Sequence, residues 1–253
     1  MALITAAAAS PSRAEDSEIA KRRAADPTTF TDAQIADGFF KVAFGAELRL
    51  AGRSDRIRKY DRPVRVFAES STSPDRRAQV AEVVADIKRR VEHLDIMTTE
   101  DRKTADVTVR LVRNRDLPRT LRAVYGRKQA NAMMRSLNPQ CLSGFAKDDR
   151  FRIVRSDVFL VADAGDFVFY DCAYEEILQS LGPINDDSSV PWTMFNDEVQ
   201  KGFFGVYDQY LLNILYHPRV RPGMTRDQVR ALLPEIMPEV RAFVAKTNGL
   251  PPP

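Results

Sequence analysis

Three polar side chains between Glu175 and Gln179 offer the clearest chemistry in this chain. Glu175 and Gln179 are four positions apart, so a helix places both on one face. Glu176 follows Glu175 directly, and the repulsion between two neighbouring carboxylates raises a pKa toward the range of a general base. The segment therefore predicts a candidate hydrolytic site in which Glu176 is the catalytic residue.

The same three residues also fit a simpler interpretation. Glu175, Glu176 and Gln179 are good helix formers, and they would suit the exposed face of an amphipathic helix equally well. In that case they serve solubility and carry no chemistry.

Charge is distributed unevenly along the chain. The formal net charge is only +3, which by itself indicates no nucleic-acid partner. Residues 101–136, however, carry ten Lys or Arg against three acids, and residues 156–200 carry ten acids and neither Lys nor Arg. Two solvated faces would explain this pattern. The alternative is an acidic cleft beside a basic wall. In that case the basic 101–136 surface could contact a membrane of anionic lipid or an anionic polymer.

A small set of predicted elements must position the acidic segment. Alternating apolar residues predict strands at 63–68, 105–112 and 152–161. Helical spacing predicts a helix capped by Thr29 or Thr31, then helices at 75–94, 121–137, 197–216 and 225–245. The central helix is predicted to begin at Asp171 or Cys172 and to end at Gly182-Pro183. Residues 139–144 are predicted to be a connection and 183–196 a loop.

The N-terminus and the two cysteines bear on location. The apolar run 2–9 with the small residues after it is similar to the end of a secretory signal. Residues 1–28 are thus predicted to be a flexible leader or signal remnant, 29–220 the main domain, and 221–253 a C-terminal helix with a proline-rich tail. A Cys141–Cys172 bridge would require an oxidising compartment, periplasmic or extracellular.

The order of these elements resembles the zincin metalloprotease domain, in which a mixed sheet is backed by a long helix and followed by an active-site helix. The metzincin branch reads His-Glu-x-x-His-x-x-Gly-x-x-His before a methionine turn. Here the same spacing reads Glu175, Glu176, Gln179, Gly182 and Asn185, followed by Met194. The resemblance implies an α+β fold in which Glu176 keeps the general-base position.

The resemblance also implies that Glu175, Gln179 and Asn185 occupy the three metal-ligand positions. All three present oxygen, whereas Zn²⁺ prefers His nitrogen or Cys sulfur. A site of this kind is weak for Zn²⁺, and a harder divalent cation such as Ca²⁺ or Mg²⁺ suits it better. Gly182 and Met194 are the expected structural positions.

The segment around Cys172 more specifically resembles domain-of-unknown-function family 2927, whose members are described as secreted proteins or lipoproteins of Proteobacteria. The resemblance rests on Cys172, Glu175-Glu176, Gln179, Leu181-Gly182, Asn185-Asp186 and, after a short loop, Phe195-Asn196-Asp197, and a Cys141–Cys172 pairing fits it. The family resemblance implies no particular activity. The zincin spacing and the missing zinc ligands instead predict a degenerate zincin of the bacterial envelope that binds a peptide or a cell-wall partner without catalysis. The alternative is a peptidase-like hydrolase that uses Glu176.

Overall fold

The computed structural model describes residues 11–45, 55–137, 140–183 and 185–252. These residues form a mixed sheet and seven helices, which confirms the predicted class. The strands are β1 (Val64–Ser70), β2 (Ile96–Thr98), β3 (Val107–Val112), β4 (Cys141–Lys147) and β5 (Ile153–Val161). The helices are α1 (Pro11–Ala25), α2 (Asp32–Val42), α3 (Arg77–Arg90), α4 (Leu117–Leu137), α5 (Asp166–Gln179), α6 (Val206–Tyr216) and α7 (Arg226–Asn248).

The five strands form one sheet in the order β2-β1-β3-β5-β4. Strands β2, β1, β3 and β5 are parallel, whereas β4 runs antiparallel to β5 at the edge. The predicted strands at 63–68, 105–112 and 152–161 correspond to β1, β3 and β5. The sheet thus places an antiparallel edge strand next to β5, whose carboxyl end leads into α5.

Strand β4 corrects the prediction that residues 139–144 are a connection. Its sequence contains Gly, Ser and Cys rather than a run of β-branched residues, so strand propensity is weak. Leu142 lies in a small core on one face of the sheet, while the partly buried Phe145 packs against the main core on the other. Because both faces are covered, the strand lacks the alternation of apolar and polar residues on which the prediction depends.

The sheet has a separate apolar core on each face. Successive residues of a strand point to opposite faces, and along β5 Val158 and Leu160 belong to the main core while Phe159 and Val161 belong to the smaller one. The main core contains the buried residues of α5, and the smaller core contains those of α4. Helices α4 and α5 therefore lie on opposite faces of the sheet.

Two helix starts follow local rules that the sequence reveals. The side chains of Thr31 and Thr225 each accept the backbone N–H of the third helical residue, Gln34 or Gln228. The side chain of that glutamine accepts the backbone N–H of the threonine, so both capping boxes form. Helix α7 continues through its two prolines as one helix.

The largest differences from the predicted helices concern α1, α5 and α6. Helix α5 begins at Asp166 rather than at the predicted Asp171 or Cys172, because Gly165 adopts a φ of 92° at the N-cap and redirects the chain. Residues 197–205 precede α6 as a loop. Residues 11–25 form α1, which packs against α5, where a flexible leader is predicted. The apolar run 2–9 lies outside the described residues.

Two consecutive buried cations hold helix ends around the site. The Arg58 guanidinium donates to the carbonyls of Ala43 and Gly45 after α2, and the Lys59 ammonium donates to the carbonyls of Leu215 and Val220 at the end of α6. Cations at helix C-termini also suit the helix dipole. The segment before β1 therefore connects the C-terminal end of α2 to that of α6.

Candidate functional site

Helix α5 is fixed across the edge strand β4 at two points. Cys172 forms a disulfide with Cys141 at a Cα–Cα distance of 5.8 Å. Gln179 lies two helical turns after Cys172, and its Oε1 accepts the hydroxyl of Ser143 on β4 over 3.4 Å. The disulfide indicates an oxidising, extracytoplasmic environment.

Glu176 lies on the helix face that these two contacts define. Cys172, Glu176 and Gln179 are spaced i, i+4 and i+7, so they share the stripe of α5 that faces β4. Glu176 is only 6% exposed and Gln179 only 3%. The interpretation of these residues as an exposed helix face is therefore wrong for both. Their polar side chains lie inside the protein.

Gln179 and Asn185, two of the predicted metal-ligand positions, make internal hydrogen bonds. The Gln179 amide donates to Asp186 Oδ1 over 2.8 Å, and the Asn185 amide donates to the Lys41 carbonyl over 2.9 Å. Asn185 therefore points toward the end of α2, and its amide nitrogen crosslinks the loop to that helix.

The groups that do converge are three carboxylates. Glu175, Asp186 and Asp197 each place an oxygen within 4.8 Å of the others, and we call these three residues the acidic trio. Asp186 is an acid that the sequence places close to the predicted site. Asp197 belongs to the segment that carries the family resemblance, but the sequence predicts it at a helix start and not at the site. Carboxylate oxygens suit Ca²⁺ or Mg²⁺ better than Zn²⁺.

A closed loop brings Asp186 and Asp197 to Glu175. The backbone N–H of Asp187 donates to the Phe195 carbonyl over 2.9 Å, and the Asn196 amide donates to the Val190 carbonyl over 3.0 Å. These bonds pair the two ends of the loop. The trio thus depends on loop closure, which no local sequence signal shows.

Met194 lies on this loop and is 2% exposed within the main core. Its backbone N–H donates to Asp208 Oδ2 over 3.1 Å, and the Thr193 hydroxyl donates to Oδ1 over 2.5 Å. Burial raises the pKa of Asp208 to about 6, despite the opposing charge of Lys201. Met194 therefore anchors the loop to the main core while Asp208 binds its backbone from α6.

Gly182 allows the chain to pass close to the segment before β1. Its φ is +140°, and a Cβ at this position would lie 2.3 Å from the Arg58 carbonyl oxygen. Only glycine fits such an approach with this backbone conformation. The sequence identifies Gly182 as the helix stop, and the structure adds the close contact.

Burial and a concentration of carboxylates dominate the electrostatics of Glu175. Burial, followed by the charges of Glu176, Asp186, Asp171 and Asp197, holds the pKa of Glu175 well above its usual range. Among the described residues, no hydrogen-bond donor to the Glu175 carboxylate offsets these effects. The site therefore favours either a proton on Glu175 or a positively charged ligand group beside it.

Replacing Glu175 with glutamine is expected to stabilise the protein at pH values above the unfolded-state pKa of Glu175, by an amount on the order of 1 kcal/mol. The folded-state pKa of Glu175 is raised, so its contribution to stability is fully present below the unfolded-state pKa and is lost as pH rises through the folded-state pKa. Thermal melts from pH 4 to pH 8 should show a gap between variant and wild type that widens with pH. Glu198→Gln, at a nearby exposed acid, is the matched control. A gap that stays constant across the range would contradict the assignment.

Comparisons with known proteins identify a family. No helix among the described residues combines the length and apolar character needed to cross a membrane. No curated protein and no solved structure matches the chain. The family model described as "Protein of unknown function (DUF2927)" matches residues 32–235, and the protein therefore belongs to that family.

Proposed function

We propose that this protein is a periplasmic or secreted zincin-like domain that binds an extended peptide segment of an envelope partner along β4, without cleaving it. One observation carries the proposal. Strand β4 is an antiparallel edge strand, β5 is its only strand partner among the described residues, and the disulfide fixes the acidic helix α5 across it.

The element order supports the zincin relation. Helix α3 packs against β1 and β2 as a backing helix, and α5 follows β5 directly, which is the order expected of a zincin and its active-site helix. Gly182 lies just beyond α5, and the buried Met194 lies on the loop that follows. These features agree with the zincin arrangement that the spacing from Glu175 to Asn185 implies.

Strand addition is the binding mode that an edge strand offers. An extended peptide can satisfy its backbone groups against the unpaired edge, while alternate side chains point toward the flanking surfaces. Ser143 on β4 is joined through Gln179 to Asp186 of the acidic trio by two hydrogen bonds. A peptide along β4 therefore lies close to negative charge, and lysine or arginine side chains should be preferred.

The ligand chemistry supports binding without zinc catalysis. Two of the three positions that hold zinc in a metzincin are amides here, Gln179 and Asn185, and both make hydrogen bonds within the protein. Amide and carboxylate oxygens make a weak Zn²⁺ site. We therefore assign these two side chains a role in fixing the loop beside α5.

A panel of fluorescent peptides tests the proposal. A nonapeptide of alternating lysine and threonine should bind the full-length protein at least tenfold more tightly than one of alternating glutamate and threonine. Glu175→Gln should weaken binding about tenfold, because one charge pair near 1.4 kcal/mol is lost. Glu198→Gln, the matched control, should change it by less than twofold. Absence of binding by every peptide would refute the proposal.

A hydrolase is the second candidate, and the position of Glu176 is the observation that favours it. Its carboxylate is buried on the α5 stripe that faces β4, near the path of a bound peptide backbone. Glu176 would act as the general base for water. Mass spectrometry of the same peptides after incubation decides between the two functions. Cleavage by wild type that Glu176→Gln abolishes would establish the hydrolase, whereas uncleaved peptide supports binding alone.

A further inference from the structure

Helix α4 carries the most one-sided charge of the described helices. Its 21 residues include five cations and no acid, and all five cations are exposed: Arg119, Arg122, Arg127, Lys128 and Arg135. Within α4 only Arg119 lies near a carboxylate, 3.5 Å from Asp116 in the preceding turn. Arg127, Lys128 and Arg135 form no ion pair with any described residue, so most of this charge faces solvent uncompensated.

The location of α4 separates it from the candidate site. It covers the sheet face that holds Phe159 and Val161, whereas α5 lies on the face of Val158 and Leu160. The basic helix and the acidic trio are therefore back to back, on opposite faces of one sheet. A partner of α4 would leave β4 and the trio accessible.

The shape of α4 favours contact with a surface over insertion into one. Its buried side chains, among them Leu117, Leu121 and Met133, are already used in the smaller core. Gly126 interrupts the helix with a φ of +78°, and nothing lies within 4 Å of a Cβ there, so the break faces open solvent. No apolar stripe remains to enter a bilayer, and attraction between charges is the force that α4 can supply.

We propose that α4 docks this protein on an anionic lipid surface, with the acidic trio and β4 directed away from the membrane. Each Lys or Arg near an anionic bilayer contributes about 1 kcal/mol, so a helix with five exposed cations, three of them without an ion pair to any described residue, is enough for reversible binding. Nucleic acid is the disfavoured occupant. The disulfide indicates an extracytoplasmic environment, and the one aromatic residue of α4, Tyr125, has its hydroxyl buried and its ring packed against Phe159 in the smaller core.

Sedimentation of the full-length protein with vesicles tests this proposal. Vesicles of phosphatidylglycerol and phosphatidylcholine should bind the protein, those of phosphatidylcholine alone should not, and added salt should release it. The triple variant Arg127→Gln, Lys128→Gln, Arg135→Gln should bind on the order of a hundredfold more weakly. The matched control Lys88→Gln, Arg150→Gln, Lys246→Gln removes the same charge from exposed sites elsewhere and should bind within about threefold of wild type.

The remaining outcomes overturn the proposal. Equal loss in both triple variants would mean that total charge, and not α4, drives binding. Tighter binding to a single-stranded DNA oligonucleotide than to the anionic vesicles would assign the surface to nucleic acid. Because the substituted side chains are exposed, thermal melts of both variants should match wild type, which separates lost binding from lost folding.

Discussion

Replacing Cys141 and Cys172 with serine is expected to lower the free energy of unfolding by about 3–4 kcal/mol in the chain-entropy model. The bridge joins positions 31 residues apart and ties the edge strand to α5. Domains of this kind are marginally stable, by about 5–15 kcal/mol, so the loss removes a large fraction of the total. Urea denaturation of the oxidised wild type and of the double variant measures it.

Reduction of the wild-type protein supplies the control for the serine side chains. Dithiothreitol should lower its unfolding midpoint to that of the double variant and should leave the variant unchanged. A double variant within 1 kcal/mol of the oxidised wild type would show that packing alone holds α5 against β4.

Replacing Gly182 with alanine is expected to cost about 3 kcal/mol or more. The added Cβ meets the Arg58 carbonyl oxygen at 2.3 Å, a contact that only backbone movement can relieve. The φ of +140° adds conformational strain for any residue with a side chain. Arg58 also holds the end of α2, so the movement should disturb that helix as well.

Gly126→Ala separates the two contributions to this loss. Gly126 also has a positive φ, of +78°, but nothing lies within 4 Å of a Cβ there. Its substitution should cost only the strain, about 1–2 kcal/mol. Chemical denaturation of both variants compares the losses directly. Equal losses would mean that the close approach between Gly182 and Arg58 contributes nothing.

Much of the fold can be predicted from local patterns in the sequence. The alternation at 105–112 and the spacing of Val80, Val83, Val84 and Ile87 identify β3 and α3. These four residues are the buried ones of α3, and the alternating apolar residues of β3 at 107, 109 and 111 lie in the main core. Strand β4 escapes prediction because tertiary contacts cover both of its faces. Likewise, no local pattern shows that His217 is buried and lies beside Glu239 of α7.

The candidate site is predictable only along α5. Glu175, Glu176 and Gln179 follow from helical periodicity, whereas Asp197 depends on the loop. The negative residues before Val199 suggest a helix start there, but the Asp171 carboxylate accepts the backbone N–H groups of Lys201 and Gly202. That long-range contact holds residues 197–205 as a loop and leaves Asp197 beside Glu175.

Peptide binding by strand addition to β4 is the central claim, and backbone methylation tests it most directly. Two versions of the lysine–threonine nonapeptide would carry N-methyl groups, one at the odd and one at the even positions. Alternate backbone N–H groups of a strand point to opposite sides, so only one set can pair with β4. Fluorescence anisotropy should show binding weakened at least tenfold by one pattern and by less than twofold by the other. Equal effects of the two patterns would contradict strand addition.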